Sequence, residues 1–177
     1  MRYEATFRSP IGDLAIACED EYLVSLWFVG QKYHGGANLP GGPAKAGGSN
    51  TLAATLEWLR AYFAGERPGS FRPAIAMQGS AFRMAVWNAL LDIPFGEVVS
   101  YGDIARVVAA RTGGKASAAR AVGGAVGRNP ISIVIPCHRV VGSNGGLTGY
   151  GAGIERKVYL LGLEGLDPHR LRVQGKR

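Results

Sequence analysis

Asn129-Pro130-Ile131-Ser132-Ile133-Val134-Ile135-Pro136-Cys137-His138-Arg139-Val140 sets an apolar, β-branched run between two prolines and places a thiol and an imidazole at its exit. Such a run predicts a buried strand over 131–135. A Cys placed where a buried strand breaks at a proline is held rigidly at the floor of whatever opens there. His138 beside it does not by itself establish contact. Neighbours on an extended segment face opposite ways, whereas a helical turn brings them round together. Taken singly, each residue also has a bland reading. Cys137 fits a small inert core residue, His138 a satisfied structural one, and Glu164 in Leu160-Leu161-Gly162-Leu163-Glu164-Gly165 a solvated residue near a helix end.

Upstream of this stretch the pattern is helical. Ser80 caps a predicted helix carrying Phe82, Val86, Ala89 and Leu90, which ends before Pro94. Ser100-Tyr101-Gly102-Asp103 is a capping-box pattern opening a second helix through Ile104, Val107 and Val108. After Thr112-Gly113-Gly114-Lys115, Ser117 is expected to start a third helix over 118–127. Two short helices joined by a Gly-containing turn read as a helix-turn-helix, although helix pairs of this kind are commonplace. The third helix is almost bare: Ala118, Ala119, Ala121, Gly123, Gly124, Ala125 and Gly127. Each internal Gly costs about 1 kcal/mol relative to Ala, a cost accepted where something must approach the backbone. Close helix packing is one reading and contact with DNA the other. Arg120, with Gly123 and Gly124 at its i+3 and i+4 positions, favours DNA.

The N-terminal half reads as a small α+β layer. Strands are expected over 2–7, 13–18 and 22–28, with turns at Pro10–Asp13 and Glu19–Glu21. A Gly/Pro/Ala-rich loop follows over 30–49. Thr51 to Phe63 carries Leu52, Leu56, Leu59 and Phe63 at helical spacing behind Ser49 or Asn50 as cap. One more strand is expected over 71–77. No polar constellation in this half suggests chemistry.

The 177 residues carry a formal charge of +7. Residues 1–78 hold seven basic and seven acidic side chains, so the whole excess sits in 79–177, with thirteen against six. A lopsided basic balance favours a polyanion, because neutralising phosphates releases counterions; a basic surface kept for solubility is the competing reading. With 47% hydrophobic residues and a mean hydropathy of +0.05, the composition is that of a soluble globule. No apolar run approaches the roughly 18 residues of a membrane span. Met1-Arg2-Tyr3-Glu4 lacks a signal-peptide core, so a cytoplasmic chain with reduced thiols is expected. Cys18 and Cys137 are too few for a disulfide framework.

Gly96-Glu97-Val98-Val99-Ser100-Tyr101, Ala119-Arg120-Ala121-Val122-Gly123, Asn129-Pro130, Ile135-Pro136-Cys137-His138-Arg139-Val140 and Thr148-Gly149-Tyr150-Gly151 occur in this order. Lys157, Leu161 and Glu164-Gly165 complete the series. It resembles the O6-alkylguanine-DNA alkyltransferases (methylated-DNA–protein-cysteine methyltransferases), through most of residues 80–165. The resemblance implies an RNase H-like α+β domain over 1–78, with a small antiparallel sheet and a helix. It implies a mostly helical, winged-helix-like domain with a helix-turn-helix over 79–166 and a basic tail over 167–177.

The same resemblance implies single-turnover DNA repair, with a methyl or other alkyl group moved from O6-alkylguanine to Cys137 and O4-alkylthymine as a second candidate substrate. His138, oriented by buried Glu164, would withdraw the thiol proton through a water; Asn129 would brace the strand; Tyr101 would give its proton to the departing guanine. Arg120 would fill the gap left by the extruded base. The duplex would meet Ser117, Ala119, Ala121, Gly123, Gly124 and Arg128 in the minor groove, and Val140, Tyr150, Gly151 and Gly153 would line the base pocket. No cofactor, no membrane and a monomer on double-stranded DNA are expected. No metal is expected either, since Cys18 and His34 are too few for the four-ligand zinc site of some relatives. Gly151 stands where many relatives have Ser, so any contact to the substrate oxygen would come from backbone. The linker 111–117 is long and Gly-rich for the motif.

Three other classes stay in view. A lesion-binding relative without chemistry would lack the acceptor Cys137. A Cys-His hydrolase would turn over esters or peptides, yet no oxyanion motif is evident. A transcription regulator would bind an undamaged operator in a sequence-specific way.

Overall fold

The computed structural model describes residues 1–32, 49–71, 73–115 and 117–167. The expectations for most of the 30–49 loop, for His34 and for the basic tail beyond residue 167 lie outside the described residues. The chain divides into two compact units, Met1–Met77 with Pro130–Val134, and Gln78–Asn129 with Ile135–Arg177.

In the first unit β1 (Arg2–Ser9), β2 (Gly12–Glu19) and β3 (Tyr22–Phe28) form an antiparallel meander, with Tyr3 opposite Cys18 and Leu14 opposite Phe28. Asp20 takes the left-handed turn position between β2 and β3, at φ 51°, a role Asp tolerates better than most side chains. α1 (Asn50–Phe63) is capped by Ser49, whose hydroxyl accepts from the Leu52 N–H. Its buried Leu52, Thr55, Leu59 and Tyr62 recur at helical spacing and pack across β1, β2 and β3. The strand expected over 71–77 shrinks to β4 (Ala74–Ile75), which runs parallel to β3. The sheet is therefore mixed rather than purely antiparallel.

Residues 131–135 are not a strand. Only Ile131 bridges β3, where the Leu26 N–H donates to the Pro130 carbonyl at 3.0 Å and the Ser132 N–H donates to the Leu26 carbonyl at 2.6 Å. Then the Val134 N–H turns back to the Ser132 carbonyl at 2.8 Å, with Ile133 at φ +70°. This is a three-residue turn in the strained, left-handed sense, uncommon for a β-branched residue. A second such turn, of the relaxed sense, centres on Pro136 (φ −80°, ψ 63°) and is closed by the Cys137 N–H on the Ile135 carbonyl at 2.7 Å. The β-branched composition reports burial correctly, since all five side chains are buried, but burial here goes with a doubled turn.

The second unit contains α2 (Ala81–Leu91), β5 (Val99–Ser100), α3 (Tyr101–Thr112), α4 (Ala119–Val126), one turn of 3-10 helix at Cys137–Arg139, β6 (Val140–Val141) and α5 (Ile154–Leu163). β5 and β6 pair in parallel. Buried Trp87 on α2 donates its indole N–H to the Ala125 carbonyl at 2.9 Å, tying α2 to α4. α3 opens on the expected capping box between Ser100 and Asp103 and closes on Gly113 at φ 69°. α4 departs from expectation: its cap is Ala118, with no side-chain hydrogen bond, so Ser117 does not start it. Replacing Ser100 by Ala removes the hydroxyl that accepts from the Asp103 N–H and donates to the Asp103 carboxylate, and leaves only the backbone half of the box, the Ser100 N–H on Asp103 Oδ2. A loss of about 1 kcal/mol in unfolding free energy, measured by urea denaturation, is the expected outcome.

Candidate active site

The site forms in the second unit where the 3-10 turn, α3 and α5 present their side chains. The turn brings Cys137 and His138 onto one short helical segment, and both are buried. Glu164, at the C-cap of α5, supplies the carboxylate around which the rest is organised. The His138 Nε2 stands 2.7 Å from Glu164 Oε1. Arg139 donates to both carboxylate oxygens, Nε to Oε2 at 2.8 Å and Nη2 to Oε1 at 3.0 Å, and its Nη1 donates to the Ile93 carbonyl at 2.7 Å. The Gly96 N–H is a fourth donor to the carboxylate, meeting Oε2 at 3.1 Å. Gly96 sits at φ +78°, and a Cβ there would come within 3.0 Å of the Glu164 carbonyl, so glycine is required on both counts. The Arg139 guanidinium also lies over the Phe95 ring, 5.7 Å from its centroid.

These contacts fix the protonation states. Burial alone would push the Glu164 carboxyl up, but its bonds to His138 and Arg139 outweigh that and hold it well below the usual carboxylate range. An ionised Glu164 accepts the hydrogen on His138 Nε2, which leaves Nδ1 as the basic nitrogen. Burial lowers the His138 pKa, Glu164 works against that fall, and the charges of Arg139 and Lys157 add to it. The ring is therefore neutral at neutral pH and able to accept a proton.

Burial raises the Cys137 thiol pKa, and three groups pull it back: a hydrogen bond from Asn129, the nearby charge of Lys157 and a hydrogen bond from Tyr150. Asn129 also donates Nδ2 to the Ile135 carbonyl at 2.8 Å. It thus closes the loop 130–134 on itself and braces the chain entering the turn. Cys18, the other thiol, is pushed up to about 11 by burial and has no such helpers. Only Cys137 sits where its thiolate is supported.

Lys157 on α5 is fully buried, with Nζ donating to the Val140 carbonyl at 2.5 Å and to the Thr148 carbonyl at 3.1 Å. Burial lowers its pKa to about 8, while the Cys137 charge works against the fall. Tyr101, first residue of α3, has its phenol pKa raised by burial, lowered by a hydrogen bond with Thr148 and raised by the Cys137 charge.

A cavity of about 590 Å³ opens beside this cluster, lined by Tyr101, Ala119, Arg120, Gly123, Ser143 and Thr148 among others. Its size lies inside the roughly 300–1,000 Å³ of ligand pockets. The pocket residues expected from sequence do not line it. Val140 is buried in β6 with its carbonyl on Lys157, Tyr150 turns to Cys137, and Gly151 and Gly153 lie outside the lining. On α4, Ala119, Arg120 and Ala121 are exposed, while Gly123 and Gly124 are half-buried and Val122, Ala125 and Val126 face inward. Arg128 is exposed and folds back, donating to the Gly124 carbonyl at 3.0 Å. Ser117 is half-buried. Sequence reading passed over Arg139, Lys157, Gly96 and Thr148 as functional residues, although all four lie inside the quoted motifs.

Among the described residues, no group of three or more His, Cys, Asp or Glu could hold a metal ion, and no helix is long and apolar enough to cross a membrane.

The chain is similar to known proteins over most of its length. Residues 81–166 match the DNA-binding domain of 6-O-methylguanine DNA methyltransferase and residues 2–72 its ribonuclease-like domain. A methylated-DNA–protein-cysteine methyltransferase of Mycolicibacterium paratuberculosis is 46% identical over 162 residues, covering 90% of both chains. One from Methanosarcina acetivorans is 42% identical, covering 92% of this chain and 98% of its own. The crystal structure of Mycobacterium tuberculosis OGT in complex with DNA matches at a TM-score of 0.80 and 42% identity, over 92% of this chain and 93% of that one.

The buried network has a pH signature. The His138 pKa is lower in the folded chain than its unfolded value of about 6.5. The unfolded state therefore binds the extra proton first, and stability falls as pH drops below about 6.5. Glu164 adds a second loss below its unfolded value of about 4.3. Denaturant midpoints measured between pH 2 and 8 are expected to show both limbs, and His138→Gln to remove the first. Glu164→Gln strands Arg139 and is expected to cost roughly 3 kcal/mol at pH 7.

Proposed function

Because the chain belongs to the methylated-DNA–protein-cysteine methyltransferase family, a family of DNA repair by alkyl transfer, we propose that it takes the alkyl group from O6-alkylguanine in double-stranded DNA onto its own Cys137, once per molecule and as a monomer. The observation that carries this reading is the single thiol flanked by Asn129, Tyr150 and Lys157 and followed in one helical turn by a Glu164-held imidazole.

His138 Nδ1 takes the thiol proton through a bridging water, and the imidazolium is stabilised by Glu164. The Cys137 thiolate attacks the alkyl carbon, a C–S bond forms, and the C–O bond breaks with its electron pair on guanine. Tyr101 gives its proton to the guanine ring, so that a neutral base departs. The thioether offers no easy return to thiolate, and the protein is consumed.

Reaching such a carbon requires the nucleotide to leave the duplex stack. The bare outer face of α4 lies against the minor groove in this reading, with Arg120, at the cavity rim, filling the space the base vacates. Two of the basic residues in 79–177, Arg139 and Lys157, are buried in the site, so phosphate contact falls to the exposed remainder, Arg128 among them.

Intact-protein mass after mixing with a methylguanine-containing duplex tests this directly. A gain of one methyl, confined to the Cys137 peptide and capped at one per molecule, is expected. Cys137→Ala is expected to bind duplex and transfer nothing; lesion clearance by that variant refutes the acceptor assignment. Gly124→Ala separates packing from DNA contact on α4. A Cβ there meets only Arg128 Nη1, at 3.7 Å, so the helix gains up to about 1 kcal/mol. Higher thermal stability with weaker duplex binding is the expected pair of results.

A further inference from the structure

Thr148 shares the cavity wall with Tyr101, and the two side chains are hydrogen-bonded. The threonine is unusually well fixed for a residue outside any helix or strand. Its N–H donates to the Gly146 carbonyl at 3.0 Å, and its carbonyl accepts from buried Lys157 Nζ at 3.1 Å. Its Cγ2 faces Gly142, where even an added Cβ would make only ordinary contact with it, at 3.5 Å. Lys157 in turn holds the Val140 carbonyl at 2.5 Å. One buried ammonium thus anchors both the strand leaving Cys137 and the residue that holds Tyr101.

We propose that Thr148 is a positioning residue for alkyl transfer: it aims the Tyr101 phenol at the departing base and then hydrogen-bonds the phenolate left behind. The inference rests on the reading of Tyr101 as proton donor. A hydroxyl suits both stages, because it can accept from a phenol and, by rotating, donate to a phenolate. The steps balance. The C–O electron pair leaves on guanine, the phenolic proton moves to the guanine ring, and the Tyr101 oxygen keeps its own pair. Thr148 donates a hydrogen bond without losing its proton, and solvent later reprotonates the phenolate. A hydrogen bond to a charged oxygen in a water-poor site is worth more than one to a neutral oxygen, so the contact strengthens as proton transfer proceeds.

The test is single-turnover transfer from a methylguanine duplex to the full chain, together with NMR titration of the Tyr101 phenol. Thr148→Val keeps the shape and removes the hydroxyl; transfer slower by about tenfold is expected, with the phenol titrating at higher pH. Thr148→Ser is expected to bring both values back towards those of the parent. Combining Thr148→Val with Tyr101→Phe is expected to be no slower than Tyr101→Phe alone. Thr148→Ala, judged by the same criteria, serves if valine disturbs folding. Parental rates in Thr148→Val beside a slow Tyr101→Phe overturn the role of Thr148 and leave that of Tyr101 standing. Additive losses in the double variant also overturn it, since they place the effect of Thr148 in packing. A parental rate in Tyr101→Phe overturns the proton-donor reading itself.

Discussion

One carboxylate organises this site. Glu164 is buried, ionised and met by the Arg139 fork, the His138 ring and the Gly96 N–H. An uncompensated carboxylate at that depth would be protonated or expelled. The Arg139 fork makes its charge permanent, and a permanent charge dictates which nitrogen of His138 carries hydrogen. The basic Nδ1 of the ring, to which the proposed mechanism assigns the Cys137 proton, is thus set by an ion pair.

Burial pulls the other way on the nucleophile. It raises the Cys137 pKa, which alone would leave an inert thiol like Cys18. Asn129, Lys157 and Tyr150 offset part of that cost, and in the proposed mechanism the remainder is met by coupling ionisation to proton uptake at His138. The arrangement keeps the thiol protonated and protected until a base and an alkyl carbon are at hand. That restraint suits the single-use acceptor role proposed for Cys137, in which a sulfur lost to stray oxidation or alkylation would be a molecule lost.

How far the sequence alone could be read depended on whether a signal was local. The meander, α1 and the capping box opening α3 follow from alternation, helical spacing and cap residues, all short-range. β4 was barely visible because it is two residues long and owes its place to parallel pairing with β3. Ile131 to Ile135 misled because composition reports burial and not dihedral angle. Nothing in Ile-Ser-Ile-Val-Ile announces a left-handed Ile133. Ser117 misled in the opposite sense, offering a cap that α4 does not use. Within the site, Cys137, His138 and Glu164 carry chemical signatures, whereas Arg139 and Lys157 look like ordinary surface cations until their burial is seen. The string of motifs made the family legible; the charge network that makes those motifs work was legible only in three dimensions.

The activation of Cys137 by His138 is tested most directly by the pH dependence of single-turnover transfer in His138→Gln, which leaves the Glu164–Arg139 pair in place. A drop of about 10²–10⁴ at neutral pH, with the rate recovering as alkali ionises the thiol unaided, is the predicted result. Transfer at the parental rate with an unchanged pH profile would contradict it.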